Sequence, residues 1–277
     1  MSRVDLHTHS YYSDGTESPR RVVELAKAAN LSALSLTDHD TLEGHPEADA
    51  ACRELGIEFI PGIEFSSSAN GVEVHMLGFL VEAATPSFRQ VLETQRARRV
   101  KRIHDMVEKL RAAGVPITVE DVMAASGKGV LGRPHVAQAL LNRGFVKTLR
   151  EAFDRYIGPN GPGFIHGSTT SPADAIRIIR AAGGVPVLAH PVYLKDDVMI
   201  DGMVRDGLAG LEVYHYSHTP QLIARYEQMA ERFGLLRTGG SDFHGGAKEG
   251  VVVGSVNVTD ELVERLKAWK HAHPNGS

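Results

Sequence analysis

The 277-residue chain has one cysteine, Cys52, and one tryptophan, Trp269. A single thiol cannot close an internal disulfide, which fits a reducing compartment and excludes a disulfide-stapled scaffold. Cys52 lies in Ala50-Ala51-Cys52-Arg53-Glu54-Leu55, a run that reads as helix packing rather than as a nucleophile site. No stretch reaches the roughly 18 consecutive apolar residues of a membrane span. The first residues lack a basic segment followed by an apolar one, so no secretory leader is expected and the chain is read as cytoplasmic. Internal repeats and low-complexity tracts are also missing. No Walker loop, CxxC pair or Ser/His/Asp order is found, which sets aside P-loop nucleotide hydrolysis, dithiol chemistry and serine acyl transfer.

What remains is an ordinary globular composition, 42% apolar and 23% charged, in a chain long enough for one α/β barrel of about 250 residues. The net charge of −4 is unevenly spread. Residues 96–165 hold 13 Lys+Arg and 6 Asp+Glu, a net of +7, and the rest of the chain carries −11. Carboxylates that hold divalent cations would account for part of that acidic excess. A basic segment beside them would suit a phosphorylated substrate.

A first strand is expected over residues 3–7, running into Asp5-Leu6-His7-Thr8-His9-Ser10. In a strand, residues two apart share a face, so His7 and His9 can meet one metal ion. Asp14 follows in a Ser-Asp-Gly turn. Ser18-Pro19 is a strong helix start, followed by an apolar stripe of Val22, Val23, Leu25, Ala26 and Ala29. A strand over 33–36 ends in Thr37-Asp38-His39-Asp40, and a helix over about 43–55 stops near Gly56. A third strand, 57–60, leads into Pro61-Gly62-Ile63-Glu64-Phe65, and a fourth, 72–79, contains His75. Alternating strand and helix is the pattern of parallel βα units.

The order then changes. Residues 87–113 make one long helical pattern, with shorter helices expected at 119–126, 133–142 and 147–156 and no strand-like run until about 164. We read residues 98–164 as a basic, mainly helical insertion that binds substrate, leaving 1–97 and 165–277 as a discontinuous barrel. The Gly- and Pro-rich run 158–163 is its exit loop. Alternation resumes with a helix from Ser171-Pro172, a strand 185–189 capped by His190-Pro191, and a run 208–213 leading into Tyr214-His215-Tyr216. A helix from Thr219-Pro220, the run 235–238 before Gly239-Gly240-Ser241-Asp242-Phe243-His244, and a last helix over about 260–270 complete the chain.

Nine metal-type residues stand at or just beyond the ends of strand-like runs: His7, His9, Asp14, His39, Glu64, His75, His190, Asp242 and His244. In a βα barrel those ends share one rim. Nine ligands suit two to three divalent ions with positions left for water and substrate. Mixed imidazole and carboxylate donors suit Mn2+, Zn2+ or Fe2+, and Mn2+ is the first expectation. His45, His104 and His166 lack a strand-end position, and His271 and His273 lie in the tail. Asp38 and Asp40 flank His39 and are expected to orient it.

Taken together, Asp5-Leu6-His7-Thr8-His9-Ser10, Thr37-Asp38-His39-Asp40, Gly62-Ile63-Glu64, His190-Pro191 and Ser241-Asp242-Phe243-His244 resemble the motifs of PHP-domain phosphoesterases, the polymerase and histidinol phosphatase family. The resemblance implies a distorted (β/α)7 barrel with up to three metal ions. It implies His7, His9 and Asp242 on one ion, Glu64 bridging to a second held by His75 and His190, and Asp14, His39 and His244 on a third. Residues 130–140, with Gly132-Arg133-Pro134-His135, further resemble the branch that dephosphorylates nucleoside 3′,5′-bisphosphates and includes a 5′–3′ exoribonuclease. That implies phosphate contacts from Arg133 and His135. Lys195 and His215 are additional substrate-side candidates, and Asp242 is a catalytic one. Either His135 or His215 could protonate the departing alkoxide.

The expected activity is metal-dependent hydrolysis of the 3′-phosphate of a nucleoside 3′,5′-bisphosphate, with short RNA as a further substrate. No membrane and no obligate protein partner is expected. A histidinol-phosphate phosphatase and a non-catalytic PHP metal-binding module are the alternatives. The basic insertion argues against the first, and the complete ligand set without any polymerase segment argues against the second.

Overall fold

The computed structural model describes residues 2–82, 85–127, 129–194 and 196–274. The strands are β1 Arg3–Asp5, β2 Leu31–Leu36, β3 Glu58–Ala69, β4 Val72–Phe79, β5 Val185–Leu188, β6 Gly210–His215, β7 Leu236–Gly240 and β8 Val258–Thr259. The helices are α1 Pro19–Ala28, α2 His45–Leu55, α3 Pro86–Ala112, α4 Val119–Ser126, α5 Arg133–Asn142, α6 Leu149–Ala152, α7 Pro172–Ala181, α8 Val198–Arg205, α9 Pro220–Phe233 and α10 Asp260–Ala272.

The strands form one sheet in the order β7-β6-β5-β4-β3-β2-β1-β8. Its first and seventh strands meet, with Leu6 N–H on the Gly239 carbonyl at 3.3 Å, His9 N–H on Phe243 at 2.8 Å and Asp242 N–H on His7 at 2.8 Å. The wall is therefore nearly closed, as expected of an α/β barrel. β8 is a two-residue strand antiparallel to β1. Capping follows the expected signals: Ser18, Ser171 and Thr219 each accept a first-turn backbone N–H ahead of a proline.

The barrel departs from a purely parallel pattern at β4, which is antiparallel to both β3 and β5. Asn70 and Gly71 join β3 to β4 with φ of 51° and 75°. A two-residue turn with both φ positive makes a tight hairpin, whereas a parallel return needs a crossover of a dozen or more residues. Because β4 runs downward, its first half lies at the rim where its neighbours end. This is why His75, opposite Ser66, reaches the rim from mid-strand. Glu64 also sits inside β3, which continues past the barrel. The strand-end rule correctly places His39, His190 and His244 but not these two. β1 stops at Asp5, so His7 and His9 lie on the extended segment beyond it.

α3 belongs to two cores. Phe88 packs with the barrel cluster of Ile63, Phe65, Ile176 and Tyr226. Ile103, Met106, Val107 and Leu110 pack instead with Val122, Val136, Leu140 and Ile157 from α4, α5 and the chain after α6. A line between residues 97 and 98 thus falls inside one continuous helix. The stretch expected to be helical over 147–156 is α6 followed by a π-helical turn, Phe153–Ile157. No strand forms at 164; the next after β4 is β5. Among the described residues no helix is long and apolar enough to cross a membrane.

Candidate metal centre and substrate cleft

The rim gathers all nine expected ligands around Glu64. His7 Nε2, His9 Nε2 and Glu64 Oε2 lie 3.1–3.2 Å from one another. Asp242 Oδ1 stands 3.5 Å from the first nitrogen and 3.4 Å from the second. The other Glu64 oxygen is 2.8 Å from His75 Nδ1 and 2.9 Å from His190 Nε2. Asp14 reaches His244 at 3.3 Å and His39 and His9 at 3.7 Å. Donors held about 2.0–2.1 Å from one tetrahedral ion lie about 3.3 Å apart, so these spacings fit ligands around metal. Three buried atoms of the set, Asp14 Oδ1, His39 Nδ1 and His75 Nδ1, make no hydrogen bond of good geometry. Buried polar atoms are normally satisfied, so these orphans also fit an ion.

The electrostatics agree. Burial opposes charge on Glu64, Asp14 and Asp242, yet the surrounding histidines hold all three well below the usual carboxylate range. Burial would lower His9, but Asp242, Glu64 and Asp14 raise it to about 9. Burial dominates at His39 and lowers it to about 3. The shell thus mixes imidazoles that hold a proton when no ion is present with one that stays neutral. Backbone strain concentrates here too: Asp40, His190 and Asp242 have φ of 52°, 25° and 54°.

A cavity of about 560 Å³ opens from this cluster. Asp14, His39, His75 and His244 line one part of it, and Arg98, Arg99, Lys101, Arg102 and Arg133 line another. Arg133 and Arg102 share Glu73, with Arg102 Nη1 2.8 Å from Glu73 Oε1. Burial opposes ionisation of Glu73, but the two guanidiniums hold its pKa at about 2. The Arg133 guanidinium also lies over the Phe153 ring at 5.7 Å.

A match to the PHP domain spans residues 5–158. The chain belongs to the PHP-domain family. It is 35% identical to a 3′,5′-nucleoside bisphosphate phosphatase of Chromobacterium violaceum, over 92% of this chain and 91% of that one. It is also 35% identical to a 5′-3′ exoribonuclease of Haemophilus influenzae, over 87% and 90% respectively. A Bifidobacterium adolescentis crystal structure, solved as a candidate metal-dependent phosphoesterase, superposes with a TM-score of 0.88 at 35% identity, covering 96% of this chain and 95% of that one.

Several residues of this PHP domain do jobs that its sequence conceals. Glu212, fully buried on β6, takes His7 Nδ1–H at 2.9 Å and the His190 backbone N–H at 2.7 Å. That contact holds the Nδ1–H tautomer, so that Nε2, aimed at the cluster, is the nitrogen free to bind an ion once its proton is lost. The available signal was a carboxylate inside an apolar strand run. Asp5 accepts the backbone N–H groups of Ser241 and Gly254 at 2.9 and 2.8 Å and so ties β1 to the β7 loop. Gly240 lets that loop pass, since a Cβ there would come within 2.4 Å of His7. Asp38 and Asp40 do not orient His39. Asp38 accepts Ser10 N–H, Ser10 Oγ–H and Ser13 Oγ–H, each at 2.7 Å. Asp40 binds Ser66 N–H at 2.8 Å and Arg99 Nε at 2.6 Å.

The substrate-side candidates divide. Arg133 lines the cleft. His135 does not: Gly132 N–H donates to its Nδ1 at 3.0 Å and its ring lies against the Ser13 carbonyl, while burial lowers its pKa. His215 Nε2 is 3.2 Å from Asp242 Oδ2, and Ser217 N–H donates to its Nδ1 at 3.3 Å. Lys195 lies outside the described residues. A lysine not anticipated, Lys248, stands 2.5 Å from Asp242 Oδ2. His45 has an ordinary structural role, with Nε2 on the Gly62 carbonyl at 2.8 Å. His166 joins the cleft wall.

Proposed function

We propose that the protein is a metal-dependent phosphomonoesterase that removes the 3′-phosphate of nucleoside 3′,5′-bisphosphates, giving the 5′-monophosphate and inorganic phosphate. Trimming of short RNA from the 5′ end is the extension of the same chemistry. The observation that carries this reading is the single cavity joining the histidine–carboxylate cluster to the Arg102–Arg133 wall. A terminal phosphate can enter the cluster while a second phosphate meets the guanidiniums. Histidinol phosphate, a small cationic ester, would gain nothing from that wall, and a non-catalytic module would not need it. The named activities of the two curated relatives support the same substrate class.

In this reading His7, His9 and Asp242 would hold one ion, Glu64 with His75 and His190 a second, and Asp14, His39 and His244 a third. Mn2+ is the first candidate, followed by Zn2+ and Fe2+. Bound divalent ions would supply Lewis-acid activation of water and neutralise charge on the phosphoryl oxygens. The chain's own residues do the rest. Residues 98–164 act as the substrate-binding insertion, with Arg133 and Arg102 gripping the outer phosphate through charge-assisted hydrogen bonds. His215 is the proton donor to the departing ribose oxygen. Its Nδ1 accepts from Ser217, so the neutral ring carries its proton on Nε2, the atom facing Asp242. His135, held between its own helix start and the Ser13 loop, supports the wall instead.

The test is product analysis with adenosine 3′,5′-bisphosphate and Mn2+. AMP and phosphate are expected. Recovery of the 3′-monophosphate would reverse the orientation, and equal kcat/KM on all monophosphates would remove the role given to the cleft.

A further inference from the structure

The chain has nine Phe, seven Tyr and one Trp. Among the described residues, only two of these side chains are more than about a third exposed: Tyr193 at 53% and Tyr216 at 39%. They lie together at the rim. Tyr193 ends the short helical turn after His190, and its ring meets that imidazole edge-on at 5.1 Å. Tyr216 follows His215, with ring centroids 4.6 Å apart. The Tyr193 phenol lies near enough to the Tyr216 phenol to help raise its pKa. Lys248 stands 4.8 Å over the Tyr216 ring and reaches Asp242. The pair is thus held against His190, His215 and Lys248, while much of its aromatic surface meets solvent. Amphipathic rings of this size are usually largely buried when a core is at hand, and two exposed together mark a surface with a use.

We propose that Tyr193 and Tyr216 form a stacking platform for the nucleobase of the nucleotide whose phosphate enters the histidine–carboxylate cluster. The inference rests on the nucleotide reading above and adds where the base is held. The Phe153 ring in the cleft offers less free surface than either tyrosine, being only partly exposed. Every base has a π face, so the pair selects base-bearing phosphates over sugar phosphates without choosing among bases. Burial and the neighbouring Tyr193 phenol push Tyr216 up to about 12, so its phenol stays neutral beside a phosphorylated ligand. Lys248 lines the cleft as well, and so joins the basic wall to the aromatic pair.

Calorimetric binding to the Mn2+-loaded, full-length protein tests this without turnover, using AMP and ribose 5-phosphate. Wild type should bind AMP about tenfold more tightly than ribose 5-phosphate, the size of one base–aromatic stack. Tyr193→Ala and Tyr216→Ala should each lose most of that preference, weakening AMP and leaving ribose 5-phosphate unchanged. Tyr193→Phe and Tyr216→Phe should keep it, because the ring is retained. No preference in wild type would overturn the platform, as would equal losses on both ligands or Phe variants that fail as badly as Ala. A ring-dependent AMP preference in a protein that does not cleave the bisphosphate would uphold the platform and sink the bisphosphatase reading instead.

Discussion

Glu64 sits between two groups of histidines, one oxygen toward His7 and His9 and the other toward His75 and His190. Its neighbours were visible in the sequence because each carries an imidazole or carboxylate beside a strand-like run. Glu212 was not, since its value depends on His7, 205 residues away. Glu212→Gln keeps the volume but lets the His7 tautomer change, so metal affinity should fall by about 10- to 100-fold, measured by titration against a competing chelator. Proton and metal compete at His9, which burial opposes charging but Asp242, Glu64 and Asp14 raise to about 9. Metal affinity should therefore climb as pH rises from about 6.5 toward 9, with protons released on binding and seen by calorimetry in buffers of different ionisation enthalpy. Glu73 behaves oppositely. Its folded pKa of about 2 lies below the ordinary value, so its contribution to stability is present above about pH 4.5 and is lost as pH falls toward 2. Glu73→Gln should flatten that part of the Tm-versus-pH curve of the metal-free protein, and an unchanged acid limb would count against it.

At the scale of elements, the β3–β4 hairpin decides how Glu64 and His75 come to face each other. Asn70-Gly71 between two apolar runs is the local signal for its tight turn. The reversal of β4 follows from that dipeptide and not from the βα pattern around it. Gly71 has φ of 75°, so Gly71→Ala should cost about 1–2 kcal/mol of stability, read from chemical denaturation. α3 was legible along its whole length because its apolar positions keep helical spacing. Its double allegiance was not, since the same stripe serves two cores. Leu110 is fully buried in the second of these. Leu110→Ala should destabilise by about 2–5 kcal/mol and raise KM for the bisphosphate, while elemental analysis still finds the metal. Loss of metal along with KM would show that the two cores are not separable.

At the scale of the whole molecule, closure of the barrel between β1 and β7 draws residues from position 7 to position 248 around one carboxylate cluster. If metal binds only the folded chain, saturating Mn2+ should raise Tm and chelation should lower it, by an amount set by the ratio of free ion to Kd. Residue order alone was enough for the class of the fold, for helix starts at Ser-Pro and Thr-Pro, and for the nine ligand-type side chains. Those features are local: a cap, a periodicity, or an imidazole or carboxylate in or just past a strand-like run. The direction of β4, the work of Asp38 and Asp40 in pinning loops, the withdrawal of His135 from the cleft, and the arrival of Glu212, Lys248 and the Tyr193–Tyr216 pair at the rim were settled by packing. Each depends on a partner brought close by barrel closure or a hairpin, and no short-range pattern in the chain encodes which buried donor will meet which acceptor.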